Sequence, residues 1–529
     1  MVSKIHRTEV NANTRVAINA MATYGRTLLR MGLGLFSSRW VLESLGEVDY
    51  GLMGVVGSLI VLATFLNTVV TGACARFFAF SIGKKDIIDL RKWFNTGLSV
   101  HLALAIFLVV IFAPVGEWAI GNFLNIPPDR LEVARWIYRI SLVGAFWTIC
   151  ATPFVAMYTA TQNITELTLW EVASIITNFG FVYWLTTYKG DAWFMYSAFS
   201  VGLTFAIGVG QVIRAHHIYS GCHINLSYWG DWNRIKQMFS FSAWTLFGNL
   251  GYMAKAQMPS VLLNQFFNPL KYAYVNASYQ VGGALAGYTQ SMSSSLMGAF
   301  TPQITTLAGA NNHDEMIRTA LRSSKFGTLL TLLFAIPLSI EADYLLQLWL
   351  KNPPILASGF CRIVLVQMVL DNLTFGQMSG IMASGRIKWY QITTGLISTA
   401  SIPIAWGVLA MGGSPLSMSW TITICVVACS IARLFFGQAI LNIRITEWVR
   451  IIFIPLFIVT LISSVSGILV NFIIEDASFF RLCATTFVSV TSMSVISWFL
   501  LFDSVERLRI KSLFGKIVGA ITKFAFMKT

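Results

Sequence analysis

Residues 51–80 read GLMGVVGSLIVLATFLNTVVTGACARFFAF, a run that contains one charged side chain, Arg76. A helix needs about 20 consecutive apolar residues to cross the hydrocarbon core of a bilayer. The run is long enough, and a single charge is compatible with burial in lipid. It is therefore predicted to be a membrane-spanning helix.

The composition of the whole chain agrees with this prediction. Of 529 residues, 56% are apolar and 11% are charged, whereas a soluble domain carries roughly 25% charged residues. A soluble protein could not cover so much apolar surface, and a disordered chain would be far more polar. The net charge of +14 comes from Lys and Arg scattered between apolar runs, which is typical of a membrane protein and not of a nucleic-acid-binding surface.

Fourteen segments of the same kind follow one another along the chain. Their approximate limits are 16–42, 51–80, 94–120, 134–158, 165–187, 192–213, 237–265, 272–306, 326–349, 355–382, 387–411, 415–440, 448–474 and 478–502. No loop between them is long enough to form a domain. The sequence therefore predicts an all-α, polytopic membrane protein with about 14 transmembrane helices.

Basic residues in the loops predict the orientation. The even-numbered loops and both termini carry 23 Lys and Arg residues, and the opposite side carries 7. Because cytoplasmic loops are enriched in Lys and Arg, both termini are predicted to be cytoplasmic. The tail, residues 503–529, alternates basic and apolar residues, so it is predicted to lie on the inner leaflet as an amphipathic helix, or else to dock a partner.

Two distant segments resemble each other, which indicates an internal repeat. Both Leu42–Asp86 and Asn264–Glu315 run from a polar turn through a tyrosine, Tyr50 or Tyr272, into a helix rich in glycine and small residues. Their offset of 222 to 228 residues equals six spans, so the halves are predicted to be parallel repeats, as in many transporters. The alternative is chance similarity between apolar helices. The predicted divisions are 1–213 and 237–441 as six-helix bundles, 214–236 as a cytoplasmic linker, 442–502 as two added helices and 503–529 as the tail.

The region from the end of the first predicted span to the turn after the second resembles a known family. Its motifs are Arg39-Trp-Val-Leu, Leu45-Gly46, Asp49-Tyr50-Gly51, Ala75-Arg76-Phe77 and Gly83-Lys84-Lys85-Asp86. They resemble the polysaccharide (O-antigen-type) flippase branch of the multidrug/oligosaccharidyl-lipid/polysaccharide exporter superfamily. The likeness is best over the first 90 residues, and the span count and repeat extend it along the chain.

The resemblance implies a fold, a substrate and a location. It implies two six-helix bundles around a cavity lined by spans 1, 2, 7 and 8, and alternating access to the two sides. The substrate it implies is a lipid-linked oligosaccharide on polyprenyl pyrophosphate, flipped across the bacterial inner membrane for lipopolysaccharide assembly. Membrane lipids, a coupling cation or proton, and other polysaccharide-assembly membrane proteins are the implied partners. Spans 13 and 14 resemble the extra pair of the lipid II flippase subgroup.

Charged residues within spans are costly, so each is a candidate for function. Arg26 and Arg30 are one helical turn apart in span 1, hence on one face, and Lys255 lies in span 7. If these spans face each other, three cations converge on a cavity and bind a pyrophosphate by charge-assisted hydrogen bonds. The alternative for the arginines is that they extend to the inner headgroups.

The remaining intramembrane charges allow an ion-coupling or a structural interpretation. Asp371, in the middle of span 10, is either a proton or cation site or the ion-pair partner of an arginine that stabilises the bundle. Glu171 in span 5 and Arg139 in span 4 are predicted to pair with each other.

Span 8 is too polar to face lipid. Gln280, Tyr288 and Gln290, with the run Ser291–Ser295, are predicted to line a hydrated cavity and bind sugar, or to form hydrogen bonds between helices.

Other chemistries find no support in the sequence. His216, His217, Cys222 and His223 match no standard zinc spacing, so no metal site is predicted. No phosphate-binding glycine loop, nucleophile–base arrangement or cofactor motif is recognisable. We therefore predict a flippase with no enzymatic activity and no nucleic-acid partner. The alternatives are a drug/cation antiporter of the same fold, which a cation-rich cavity disfavours, and a membrane-embedded glycan polymerase or glycosyltransferase, which the short loops disfavour.

Overall fold

The computed structural model describes residues 12–161, 163–309, 312–504 and 506–508, and every regular element among them is helical. The helices are α1 Ala12–Gly83, α2 Ile87–Trp118, α3 Leu131–Ala160, α4 Ile164–Leu185, α5 Ala192–Ile218, α6 Trp232–Phe266, α7 Pro269–Gly309, α8 His313–Ile340, α9 Ala342–Leu350, α10 Ala357–Asn372, α11 Phe375–Ser384, α12 Lys388–Ala410, α13 Pro415–Leu441, α14 Ile445–Trp448, α15 Ile454–Ile473 and α16 Phe479–Leu500. Short 3₁₀ turns occur at Pro128–Arg130 and Leu226–Tyr228, and π-helical turns at Ala119–Phe123 and Val449–Phe453.

Each of the 14 predicted spans falls on helix, and the protein is an all-α, polytopic membrane protein. Within the described ranges, nine helices are long and apolar enough to cross a membrane, or ten if the bent pair α10 and α11 is one span. The predicted tail lies outside the described residues, apart from residues 503–504 and 506–508.

Two predicted spans are divided in the structure, whereas the predicted division between the first two spans is observed. These two spans are the two helical segments of α1, which meet at a kink at Gly46, where φ is 73°. This left-handed backbone conformation suits glycine because it has no Cβ. The predicted span 326–349 is divided at Glu341 into α8 and α9, and the predicted span 355–382 is bent by 46° between α10 and α11.

The helices belong to two compact units. The first comprises the described residues of Met1–Ala284, Trp349–Phe360 and Gln391–Cys425. The second comprises those of Leu285–Leu348, Cys361–Tyr390 and Val426–Thr529. The predicted division into two six-helix bundles, a linker and an added helix pair stays a prediction.

In the first unit, a tight turn joins α1 to α2. The Asp86 carboxylate accepts a 2.9 Å hydrogen bond from the Asp89 backbone nitrogen, which satisfies one of the free amides at the start of α2. Further along α2, Phe94 packs edge-on against Phe154 of α3 with ring centroids 5.0 Å apart. Phe78 and Tyr158 are fully buried in the same cluster. This core fixes one end of the unit.

In the second unit, α8 packs against α11, α15 and α16. The approach of α11 is very close at Gly376, where an added Cβ would overlap the Ala320 carbonyl oxygen. The Gly376 backbone nitrogen also donates a 2.8 Å hydrogen bond to Ser324 Oγ, which satisfies an amide in the first turn of α11. The bend between α10 and α11 is therefore held against α8.

Candidate functional site

The two arginines of the first predicted span share one carboxylate in the first unit. Arg26 Nη1 lies 2.6 Å from Glu171 Oε2, and Arg30 Nη2 lies 3.2 Å from the same oxygen. Arg26 and Arg30 are one turn apart on α1, and Glu171 lies on α4. The prediction that both arginines occupy one face of their helix is confirmed, because both reach the same atom.

The predicted pairing of Glu171 with Arg139 is wrong. Arg139 Nε donates a 2.5 Å hydrogen bond to Glu117 Oε1, and Arg135 Nε lies 3.7 Å from the other oxygen of Glu117. The reason is the rotation of α3, which turns Arg139 towards the end of α2. Glu171 is engaged by the two arginines of α1 instead.

The Arg26–Arg30–Glu171 group contains more positive than negative charges. Two guanidinium groups face one carboxylate, so the formal charge of the three side chains is positive. The side chain of Arg26 is 24% exposed and that of Glu171 is 38% exposed, whereas that of Arg30 is 62% exposed. Arg30 therefore has the larger surface for an anionic ligand, and guanidinium groups bind phosphate oxygens with paired hydrogen bonds.

The third predicted cation, Lys255, lies on α6 in the same unit. Its Nζ is 5.2 Å from the centroid of the Tyr252 ring, a cation–π distance, and the side chain is half-buried. The contacts place Lys255 with Tyr252, and Arg26 and Arg30 with Glu171. Convergence of the three cations on one ligand stays a prediction.

Gln280 of α7 takes part in a close helix contact in the first unit. An added Cβ at Gly54 of α1 would overlap the Gln280 side-chain amide, so Gly54 makes room for this side chain. Gln280 Nε2 donates a 3.2 Å hydrogen bond to Ser260 Oγ on α6, and the Asn276 side-chain amide is 3.3 Å from the same oxygen. This geometry is the interhelical hydrogen bonding that the sequence left as the alternative to sugar binding.

Tyr288 and Gln290 of α7 belong to the second unit. Both side chains are half-buried, and Gln290 Nε2 donates a 3.2 Å hydrogen bond to Ser294 Oγ one turn further along the helix. In the same unit Asn372 Nδ2 donates to Thr331 Oγ1 at 2.7 Å, and Ser293 Oγ is also 2.7 Å from that hydroxyl. Polar side chains in this unit therefore bond one another across helices.

Asp371 is an ion-pair partner at the bend between α10 and α11. Arg433 Nη1 on α13 donates to Asp371 Oδ1 at 2.7 Å, to the Asp371 carbonyl oxygen at 3.3 Å and to Thr374 Oγ1 at 3.2 Å. Ser430, one turn before Arg433, donates to the Leu370 carbonyl oxygen at 3.1 Å. α13 therefore adds hydrogen bonds to both carbonyls at the bend, where the Asp371 carbonyl also accepts a 3.3 Å bond from the Thr374 backbone nitrogen. The sequence offered an arginine ion pair as one of two interpretations of Asp371, and the structure identifies the arginine as Arg433.

Three histidines near the end of α5 lie close together but do not form a metal site. The His216 and His223 ring centroids are 5.1 Å apart, and His216 Nδ1 is 2.9 Å from the Cys222 carbonyl oxygen. Over the ranges that the structure covers, no group of three or more His, Cys, Asp or Glu side chains has the arrangement that a metal ion needs.

Comparison with known proteins shows the fold at low sequence identity. No protein-family model and no curated protein sequence matches the chain. An inward-facing multidrug resistance MATE family transporter of the MOP superfamily has a TM-score of 0.65 and 13% identity, covering 80% of this chain and 98% of the transporter. The lipid II flippase MurJ in an inward closed conformation has a TM-score of 0.58 and 12% identity, covering 91% of this chain and 98% of MurJ.

A third solved structure is a MOP superfamily transporter from Pyrococcus furiosus, described as having a binding pocket of reverse polarity. Its TM-score is 0.58 at 13% identity, and the match covers 81% of this chain and 96% of that transporter. All three structures are transport proteins by description. The chain therefore has the fold that these two transporters and the lipid II flippase MurJ share.

Proposed function

We propose that this protein is a flippase that moves a polyprenyl-pyrophosphate-linked oligosaccharide from the inner to the outer leaflet of a bacterial cytoplasmic membrane. Transport proceeds by alternating access, with both termini cytoplasmic, and supplies cell-surface polysaccharide assembly. The observation that carries the proposal is the Arg26–Arg30–Glu171 group in the first unit. The MurJ-like fold supports it as a fold known to host a lipid flippase.

The charge of this group favours an anionic ligand. A charged side chain in a membrane span is costly unless it is paired, and one carboxylate neutralises only one of the two guanidinium groups. A pyrophosphate carries the negative charge and the several acceptor oxygens that two arginines satisfy together. Arg30, with its longer 3.2 Å contact, reaches such a ligand while Arg26 keeps its 2.6 Å contact to Glu171.

A drug/cation antiporter of the same fold is less well supported. Glu171 and Asp371, the carboxylates predicted as ion-coupling candidates, each accept a hydrogen bond from an arginine. A cationic drug would have to compete with a guanidinium that is already tethered there. A glycan polymerase or glycosyltransferase has less support still, because the matching folds are those of transporters and a flippase.

Genetic complementation tests the proposal. The gene is deleted, and the amount of lipid-linked glycan on each leaflet is measured with a membrane-impermeant glycan-modifying enzyme. We expect wild-type protein to restore glycan to the outer leaflet, and Arg30→Gln and the double variant Arg26→Gln/Arg30→Gln to lose this activity while still inserting. Arg318→Gln is the matched control, because Arg318 is 70% exposed and its 3.7 Å ion pair is with Glu315 of the same helix.

Two results would contradict the proposal. One is normal outer-leaflet glycan in cells that carry the double arginine variant at wild-type abundance. The other is a deletion strain with normal lipid-linked glycan on both leaflets and an increased sensitivity to cationic drugs that the wild-type gene reverses. The second result would favour the antiporter.

A further inference from the structure

The first unit has an open cleft at the end where α4 begins and α5 ends. Its volume is about 530 Å³, and it is lined by Asn163, Thr165, Glu166, Leu169, Trp170 and Arg214. None of these residues belongs to the arginine group described above, and the predicted topology puts this end at the cytoplasmic face. The cleft is large enough for one or two sugar rings.

The polar side chains of the cleft are fixed by one another. Arg214 Nε lies 3.0 Å from Glu166 Oε1, and Asn163 Nδ2 donates to Glu166 Oε2 at 2.8 Å. The Asn163 amide also donates to the Tyr219 hydroxyl at 3.0 Å. The ion pair leaves the cleft without excess formal charge, while Glu166 and Arg214 are 18% and 48% exposed and can still reach a ligand.

The apolar wall of the cleft is the indole of Trp170. Atoms Cη2 and Cζ3 of this ring approach α5 at Gly210, where an added Cβ would lie 2.8 Å from Cη2. The absence of a side chain at Gly210 therefore lets the ring pack against α5. The indole is half-buried there and lines the cleft.

We infer that this cleft binds a neutral sugar ring of the lipid-linked substrate, an inference that rests on the proposed function and names a second part of its binding site. A sugar has an apolar face of C–H groups, which packs on an indole, and a rim of hydroxyls, which bond to carboxylate, guanidinium and amide groups. All of these partners are present on the cleft wall. A phosphate group would bind less favourably in this cleft, because Glu166 already neutralises the charge of Arg214.

The cleft and the arginine pair lie on different sides of α4. Glu166 and Glu171 are five residues apart, which is about 7.5 Å along the helix axis but also about 140° around it. Glu171 contacts α1 through Arg26, whereas Trp170 packs against α5 at Gly210. A ligand with its pyrophosphate at the arginine pair must pass around the helix, so it places a later sugar of its oligosaccharide, and not the first, at Trp170.

The test is a binding comparison with three synthetic probes. These are farnesyl pyrophosphate, the same lipid carrying a glucose trisaccharide, and the same lipid carrying an N-acetylglucosamine trisaccharide. Affinities are measured by isothermal titration calorimetry on the full-length protein in nanodiscs. Wild type is expected to bind at least one sugar-bearing probe more tightly than the sugar-free probe.

Trp170→Leu is expected to weaken the sugar-bearing probe about tenfold and to leave the sugar-free probe unchanged. Trp184→Leu, near the other end of α4, is the control and should bind like wild type. Arg30→Gln should weaken all three probes. If Trp170→Leu does not fold, Trp170→Phe and Glu166→Gln replace it, and each should reduce the preference for sugar.

The outcomes separate the two proposals. Equal affinity of wild type for all three probes, or a sugar preference that survives in both Trp170→Leu and Glu166→Gln, overturns the sugar site and leaves the flippase proposal standing. If wild type binds no lipid probe but binds methyl glucoside or free N-acetylglucosamine in a Trp170-dependent way, the flippase proposal fails and the sugar site stands. If nothing binds, both are overturned.

Discussion

Lys325 Nζ donates a 2.5 Å hydrogen bond to Glu506 Oε2, and neither side chain is more than 7% exposed. Lys325 lies in α8, and Glu506 follows the end of α16 in the second unit. The same ammonium donates to the Leu501 carbonyl oxygen at 3.1 Å, and the Phe326 and Phe502 rings stack with centroids 5.8 Å apart. The described segment that follows α16 is therefore fixed to α8.

Lys325→Met is expected to destabilise the protein by about 1–3 kcal/mol, because it removes the nearer of two cations at the buried Glu506 carboxylate and leaves Arg322, whose Nε is 3.6 Å from Glu506 Oε1. The measurement is the free energy of unfolding in detergent. The paired variant Lys325→Met/Glu506→Leu should recover most of the loss, since it removes both charges. A single variant as stable as wild type would show that water reaches this pair.

Glu341 and Asp343 form a matched pair of carboxylates two residues apart. Glu341 is fully buried and binds Arg481 through contacts of 2.9 and 3.1 Å, whereas the Asp343 side chain is 64% exposed and binds Arg362 at 2.7 Å. Glu341→Ala is expected to cost about 3–5 kcal/mol and Asp343→Ala about 0–1 kcal/mol. Thermal unfolding of both variants in one detergent checks the difference. Similar losses from both would contradict the assignment of burial as the cause.

Gly376→Ala is expected to destabilise the second unit by about 1–3 kcal/mol, because the new Cβ would meet the Ala320 backbone, which cannot rotate away. Gly407→Ala is the control, since nothing lies within 4 Å of its Cβ position inside α12. That change should be neutral or stabilise by up to about 1 kcal/mol through helix propensity. The two unfolding midpoints should therefore move apart, and a shared direction would contradict the close contact.

Glu171→Gln should strengthen binding of farnesyl pyrophosphate several-fold, because the neutral amide no longer competes with the ligand for Arg26 and Arg30. The gain should shrink as salt is raised, since ions screen the exposed guanidinium of Arg30. Glu117→Gln, which removes the partner of Arg139 in the same unit, should leave the affinity unchanged. Calorimetric titration at two ionic strengths measures the affinity of each variant and its dependence on salt. Weaker binding by Glu171→Gln than by wild type would contradict the prediction and indicate that Glu171 positions the arginines.

The sequence predicts the positions of the helices well, because a length of apolar residues is a local property. It does not predict where a helix is interrupted, since prolines such as Pro114 and Pro153 lie inside continuous helices. The bend after Asn372 is one example, since the apolar pattern of residues 355–382 continues through it. The break at Glu341 is another, because Arg481, which donates hydrogen bonds to the Glu341 carboxylate, lies 140 residues away in the chain.

The candidate site shows the same limit for side chains. The four-residue spacing of Arg26 and Arg30 predicts a shared face, and both contact Glu171. Which carboxylate they meet depends on the rotation of α1 against α4, a long-range packing choice. For that reason the sequence assigned Glu171 to Arg139, whose rotation on α3 directs it to Glu117.

The contact between Arg433 and the bend at Asp371 has a mechanical consequence. The cation that bonds to the carboxylate and carbonyl of Asp371 at the bend is covalently attached to α13, so it cannot diffuse away as a dissolved ion would. If α10 and α11 became one straight helix, the Arg433 guanidinium would lose its partners in surroundings of low polarity unless α13 shifted along its axis at the same time. The bend between α10 and α11 and the axial position of α13 are therefore coupled, so that a change in one requires a change in the other.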